Sequence, residues 1–317
     1  MNDDKEALLI NEFITQQKIA RSDVVCSSGD DAAVMRLDPE YEITATVDCQ
    51  IYGTHFDDRF TPYDVGYKAL AVNLSDIAAM GAQPLWAMIS LSVKNFDAGW
   101  VKNFSQGFCE LAAKYNVECV GGNVSKGQLS AHVTLIGKVK KSLAVRQDGA
   151  LLGDGIYVTG SFGGAAWAWQ NTTVNTKEQK AAYNAWKRPV VNVDFAVEVC
   201  KHINAATDVS DGLYVDLARM LNKSKLGAKL FLNNCPYHEV LHKLDPQVAS
   251  DYAWSGGESY QLVFTCSDKN ISSVQEIANK HGVCLNKIGT TIEVKNIEWV
   301  VSGSRPAPNL SSVFTHF

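Results

Sequence analysis

Six aspartates stand where a merely solvated surface would not favour them. Asp30 and Asp31 follow Gly29 in SSGDDAAV, where two alanines allow close backbone approach. Asp48 ends an alternating apolar run, and Asp76 lies inside an otherwise apolar helical stretch. Asp208 and Asp211 frame Val209 and Ser210 in TDVSDGL. Each has a plain structural explanation: Asp31 as a turn residue, Asp208 or Ser210 as a helix N-cap, Asp76 as a paired core carboxylate. Together they suggest another chemistry, because carboxylates at element ends can converge on hard cations that prefer oxygen ligands. Such cations bridge phosphoryl oxygens and offset their charge.

Gly121-Gly122 and Gly256-Gly257 are turns that could add backbone N–H groups for phosphates. A P-loop is absent. The nearest match to G-x-x-x-x-G-K-[ST], GNVSKGQ, lacks the lysine after its second glycine, and no G-x-G-x-x-G follows a strand. A nucleotide bound here is held in another way.

These residues must be positioned by regular elements. Helical spacing of Leu8, Leu9, Phe13 and Ile14 predicts a first helix over 5–20, and EITATVD a strand ending at Asp48. The Ala-rich run 64–80 predicts a helix packed on more than one face, stopped by Gly81. Strands are predicted at 85–93, 118–120 and 131–139, with a helix over 98–115. Further on, IYVTG, 228–232, 260–266 and 284–290 read as strands, and SFGGAAWAW, 192–202 and 213–222 as helices. Strands and helices mix without regular alternation, so the fold class is α+β. With 317 residues the chain exceeds one core, and two domains are expected, 1–147 and 148–317.

The net charge of −5 argues against a nucleic-acid partner or an anionic membrane held by bulk electrostatics. No basic and apolar leader opens the chain and no run approaches about 20 apolar residues, so a cytoplasmic enzyme is expected. The eight cysteines show no C-x-x-C and read as reduced.

Seven segments in order carry a resemblance: GDDAAV (29–34), TVDCQIYGTHF (46–56), YKALAVNLSDIAAMGAQP (67–84), GGNVSKG (121–127), GDGIYVTG (153–160), ATDVSDGL (206–213) and SGGESYQLVF (255–264). The chain resembles the thiamine-monophosphate kinases, members of the aminoimidazole-ribonucleotide-synthetase superfamily. The resemblance implies a two-domain architecture of mixed sheets flanked by helices, and a homodimer formed through the N-terminal domains. It implies Mg2+ held by Asp31, Thr46, Asp48, Asp76, Asp208 and Asp211. It implies ATP contacts from Gly122, Asn123, Arg146 and Ser210, and a thiamine monophosphate site lined by His55, Glu258 and Phe314. The implied reaction moves the ATP γ-phosphoryl group onto thiamine monophosphate, giving thiamine diphosphate and ADP. An ionised phosphate acceptor needs no general base, so charge neutralisation and alignment carry the catalysis.

The chain departs from the family pattern at several positions. GGD reads GGN, so Asn123 offers a neutral carbonyl where a metal-binding carboxylate is usual, and Val47 lacks a hydroxyl. GGEDYEL reads GGESYQL, so Ser259 and Gln261 remove two negative charges near the implied substrate site, and a large Trp167 replaces a small residue. Trp167, Trp169 and Trp186 are expected to be core or surface filler. Two other readings stay open: another ATP-using enzyme of the superfamily, and a nucleotide-binding protein that has lost catalysis.

Overall fold

The computed structural model describes residues 5–27, 30–95, 97–301 and 303–310. They form two compact units dividing at Ser142/Leu143, with Ala78–Gly81 counted in the second. No described helix is long and apolar enough to cross a membrane.

The first unit runs α1 (Lys5–Ile14), β1 (Val24–Cys26), β2 (Val34–Met35), β3 (Tyr41–Ile51), most of α2 (Pro62–Ala79), β4 (Gln83–Val93), α3 (Ala98–Lys114), β5 (Glu118–Lys126) and β6 (Ser130–Lys140). Among the described residues its main sheet has the order β3-β6-β4-β5. All its pairs are antiparallel except β4 with β5, which α3 joins as a crossover. Alternation sorts the faces: Ala87, Ile89, Leu91 and Val93 of β4 are buried, whereas Ser90 between them is exposed.

Helix α2 is buried nearly all round, as its Ala-rich composition predicts: Leu70, Ala71, Leu74 and Ile77 are all within 1% of complete burial. It crosses α3 at two glycines. A Cβ on Gly66 would meet the Phe104 carbonyl oxygen at 2.0 Å, and one on Gly107 the Tyr63 carbonyl oxygen at 2.1 Å. Backbone therefore lies on backbone at this crossing, which fixes how α2 presents its side chains to the sheet.

The second unit runs β7 (Gly155–Thr159), α4 (Gly164–Gln170), α5 (Lys177–Lys187), α6 (Val193–Val199), β8 (Ala205–Asp208), α7 (Leu213–Lys223), β9 (Gly227–Phe231), α8 (Pro246–Ser255), β10 (Leu262–Cys266), α9 (Ile271–Lys280), β11 (Leu285–Ile292) and β12 (Ile297–Val300). The sheet order is β12-β9-β11-β7-β10-β8 among the described residues, antiparallel except for β12 with β9. Every residue of β7, β8 and β10 is buried, which is why these strands read as continuous small and apolar runs. Trp167 and Trp186 are core residues, while Trp169 is 37% exposed and packs edge-on against Trp186.

Helices α5, α8 and α9 and strand β12 were not legible in the sequence pattern, and α1 stops at Ile14 instead of reaching residue 20. Beyond Ile14 the segment TQQKIA is mostly polar and offers no further apolar stripe.

Candidate active site

The first unit builds its part of the site from one helix face and one strand face. Thr46 and Asp48 lie two residues apart on β3 and so share a face; Asn73 and Asp76 lie three apart on α2 and also share one. Asn73, fully buried, accepts the Asp48 backbone N–H at 3.1 Å and donates to the Ala69 carbonyl at 3.0 Å. This locks α2 against β3 in a register where the Thr46 hydroxyl donates to Asp76 Oδ2 at 2.6 Å. Burial raises the Asp76 carboxyl above the ordinary carboxylate value, and the Thr46 hydroxyl opposes that shift. Asn73 was not singled out in the sequence; its signal was a polar side chain in an apolar helix one turn before Asp76.

The other predicted residues of this unit lie around the pair. Asp31 is exposed in the connection between β1 and β2, whose Val24, Ala33 and Met35 pack against a small core of Leu85, Trp86 and Val120. Beside it, the Cys26 thiol donates to the Ala32 carbonyl at 3.3 Å. Val47 is 64% exposed, so it takes the side of β3 opposite Thr46 and Asp48.

Gly122 and Asn123 sit on β5, paired with Ile89 and Ser90. Only glycine fits at 122, since a Cβ there would lie 2.0 Å from the Ile89 carbonyl oxygen. The register runs Asp48–Val133–Ile89–Gly122 across the sheet. At about 4.8 Å per strand, three intervals separate β3 from β5 by about 14 Å. Within one chain the sheet therefore does not bring Asn123 to the Thr46–Asp76 pair.

His55 follows a tight turn after β3. Its Nδ1 accepts the Ile51 backbone N–H at 3.1 Å, which leaves the ring proton of the neutral imidazole on Nε2. Lys68, fully buried in α2, donates to the His55 carbonyl at 3.2 Å and anchors that turn from beneath.

In the second unit two loops are zipped together. One runs on from Asp208, the last residue of β8, and holds Ser210 and Asp211; the other precedes β10 and holds Glu258. Glu258 N–H donates to the Ser210 carbonyl at 2.7 Å, Tyr260 N–H to the Val209 carbonyl at 2.8 Å, and Val209 N–H to the Gln261 carbonyl at 2.8 Å. Gly257 lets the strands of this zipper touch, because a Cβ there would meet the Ser210 carbonyl oxygen at 2.5 Å. Glu258 and Tyr260 have φ of 67° and 50°, a left-handed conformation costing non-glycine residues about 1–3 kcal/mol each. The buried Tyr260 donates its hydroxyl to Glu258 Oε1 at 2.9 Å and so aims that carboxylate.

The loop after β8 is held from within. Asp216, 5% exposed in the first turn of α7, accepts at Oδ2 the backbone N–H groups of Ser210 (3.0 Å), Asp211 (2.9 Å) and Gly212 (3.2 Å). Burial pushes its carboxyl up to about 6 despite these donors. Arg219 Nη1 donates to Asp216 Oδ1 at 3.0 Å and also pairs with Asp211. Neither Asp216 nor Arg219 had been expected in the site. An acidic side chain in the first turn of a helix whose N-cap is Gly212 was the available signal.

Gln261 is buried. Its Oε1 accepts from Thr159 Oγ1 at 2.9 Å and Asn192 Nδ2 at 3.2 Å, and its Nε2 donates to the Val190 carbonyl at 3.1 Å. Ser259 donates to the Val209 carbonyl at 3.0 Å. Both departures from the family pattern are therefore spent on internal bonds.

Arg146 lies on an exposed loop, its side chain 70% accessible and paired with Asp148 at 2.7 Å. Phe314 lies outside the described residues. Among the described residues, no group of three or more Asp, Glu, His or Cys side chains is gathered closely enough to hold a metal ion. Like charges repel, and the acidic groups described here take separate partners: a hydroxyl for Asp76, a guanidinium for Asp211.

Comparison with known proteins defines the class. Residues 29–139 match the AIR synthase related protein N-terminal domain and residues 152–302 its C-terminal domain. A thiamine-monophosphate kinase from Buchnera aphidicola subsp. Acyrthosiphon pisum is 34% identical over 287 residues, 89% of each chain. The crystal structure of thiamine-monophosphate kinase from Stenotrophomonas maltophilia K279a matches with a TM-score of 0.86 and 32% identity, covering 92% of this chain and 95% of that one. AaThiL complexed with AMPPCP and TMP matches with a TM-score of 0.74 and 26% identity, covering 94% and 93%. The chain belongs to the thiamine-monophosphate kinase family of AIR synthase related proteins.

Proposed function

We infer that this chain transfers the γ-phosphoryl group of ATP to the phosphate of thiamine monophosphate, forming thiamine diphosphate and ADP. The observation that carries the reading is the Thr46–Asp76 pair locked by Asn73 inside a chain similar over nearly its whole length to thiamine-monophosphate kinases. AaThiL, of the same fold, was solved with AMPPCP and TMP.

The donor chemistry suits Mg2+. Asp76 is a half-buried carboxylate that pairs with no Lys, Arg or His among the described residues, and burial raises its proton affinity, as expected of a group built to meet a cation. Thr46, Asp48 and Asp76 would hold Mg2+ in the first unit, with Asp31 contributing from its connection, and Asp208 and Asp211 would hold Mg2+ in the second. Bound Mg2+ supplies charge neutralisation for the phosphoryl oxygens.

The chain's own groups do the rest. Ser210 N–H is engaged by Asp216, so its hydroxyl is the group left to meet nucleotide. His55, with its proton on Nε2, can donate to a substrate phosphate while neutral. Glu258, aimed by Tyr260, would accept from a polar group of the thiamine moiety. The acceptor phosphate attacks already ionised, so no residue removes a proton.

The reading includes a homodimer through the N-terminal sheets. Ile43 and Val47 are each 64% exposed on one face of β3, and among the described residues β3 and β5 are the edge strands of their sheet, which a second copy would cover. Such pairing would also supply Asn123 from the partner's β5. The eight free cysteines suit a reducing cytoplasm, where ATP is available.

The test is ATP turnover measured with a panel of phosphate, carboxylate and amide acceptors. Turnover that needs thiamine monophosphate supports the reading; silence with it beside robust turnover with another acceptor rejects it.

A further inference from the structure

We propose that residues 305–309 are a strap that latches α8 and, through it, the two zipped loops of the second unit, so that strap, helix and loops open together. The strap reads RPAPN, and its two prolines lack the N–H groups a sheet ladder needs. Helix α8 holds it by its backbone instead. Three side chains on one face of the helix take part. The fully buried Ser250 hydroxyl donates to the Pro306 carbonyl at 2.7 Å, Gln247 Nε2 donates to the Ala307 carbonyl at 2.9 Å, and Asp251 Oδ1 accepts the Asn309 N–H at 2.6 Å. Arg305 fixes the other end. Its guanidinium lies 3.9 Å from the centre of the Tyr237 ring and donates to the carbonyls of Asn233 and Cys235, which ties the strap to the segment between β9 and α8.

The helix passes this hold to the loops. Trp254 and Ser255, one turn beyond Ser250 and Asp251, are buried. Backbone meets backbone at that end: a Cβ on Gly212 would lie 2.8 Å from the Ser255 carbonyl oxygen, and one on Gly257 2.5 Å from that of Ser210. The Glu258 N–H, three residues past the end of α8, then bonds the Ser210 carbonyl at 2.7 Å. If the end of α8 withdraws, both loops lose the surface they rest on. Elements joined in this way open as one cooperative unit. The strap therefore sets how firmly Ser210, Asp211 and Glu258 are held, whatever those residues bind.

Residue-resolved amide hydrogen exchange of the full chain tests this. Arg305→Met keeps an apolar stem and removes the charged donors; Ser250→Ala removes one hydroxyl bond at the other end of the strap. The amides of α8, of Ser210, Asp211 and Gly212, and of Glu258 should exchange faster by a common factor. That factor is expected to be about 10-fold or more in Arg305→Met and about 2- to 10-fold in Ser250→Ala, from the worth of charged and neutral hydrogen bonds. The β7–β10 ladder of the same unit should keep its wild-type rates. Unchanged rates, or acceleration confined to the strap and α8 while the loop amides stay as they were, overturns the inference. Acceleration that extends equally to the β7–β10 ladder also overturns it, because the strap would then serve the whole unit and not this part of it.

Discussion

Asn73, sealed inside α2, accepts the main-chain N–H of Asp48 at 3.1 Å, and this one bond sets the register between the helix bearing Asp76 and the strand bearing Thr46. Replacing it by leucine leaves the Asp48 N–H without its acceptor at a cost of about 1–3 kcal/mol. Asn73→Leu should therefore lower the melting temperature and also raise the Mg2+ concentration needed for half-maximal turnover. Lost stability with an unmoved Mg2+ requirement would mean that Asn73 serves the core and not the site.

Asp76 couples stability to pH with a definite sign. Burial raises its folded pKa above the unfolded value of 3.8, so the folded state binds the proton more tightly. Stability then falls as pH rises through the window from 3.8 up to the folded value, and the penalty is fully present above it. Asp76→Asn should raise the melting temperature of the metal-free protein at neutral pH and lose that advantage below the unfolded value, while activity collapses. Calorimetry across pH checks this, and an Asn variant less stable at pH 7 would contradict it.

Thr46→Val removes the hydroxyl that favours ionised Asp76. The acid limb of the pH–rate profile should move to higher pH, and added Mg2+ should pull it back by competing with the proton. A profile identical to wild type would show that the Thr46–Asp76 bond does not tune the site.

Gln261→Glu restores the usual family residue but removes the donor to the Val190 carbonyl and buries a charge. A loss of about 1–3 kcal/mol is expected in urea denaturation, without a gain in turnover. A more stable or faster variant would show that the amide network among Thr159, Asn192 and Val190 is not what fixed glutamine here.

Cysteine reactivity should follow burial. Burial pushes the thiols of Cys109 and Cys119 up to about 12, and that of Cys235 is raised as well, whereas Cys284 is exposed. Maleimide labelling of the native protein followed by peptide mass spectrometry should modify Cys284 and spare those three until denaturant is added.

Much of the first unit was legible because its strands alternate against one buried face and its long helix is too Ala-rich to be anything but packed. Two devices escaped. The β1 and β2 strands, three and two residues long, carry no period, and α5 and α9 expose too many polar residues to outweigh loop readings. The aspartates themselves stood out, but their partners did not: Asn73 meets β3 across 25 positions, a pairing made only by the folded chain. Asp216 was nearer at hand, four to six residues from its donors, and a first-turn acid after Asp-Gly could have been read as a loop staple.

The central claim is phosphoryl transfer onto thiamine monophosphate. Phosphorus-31 NMR of the protein with ATP, Mg2+ and thiamine monophosphate follows it directly. The account predicts the paired resonances of thiamine diphosphate growing in step with ADP, and both failing in Asp76→Asn. ADP formed without thiamine diphosphate, or thiamine diphosphate formed equally well by Asp76→Asn, would contradict it.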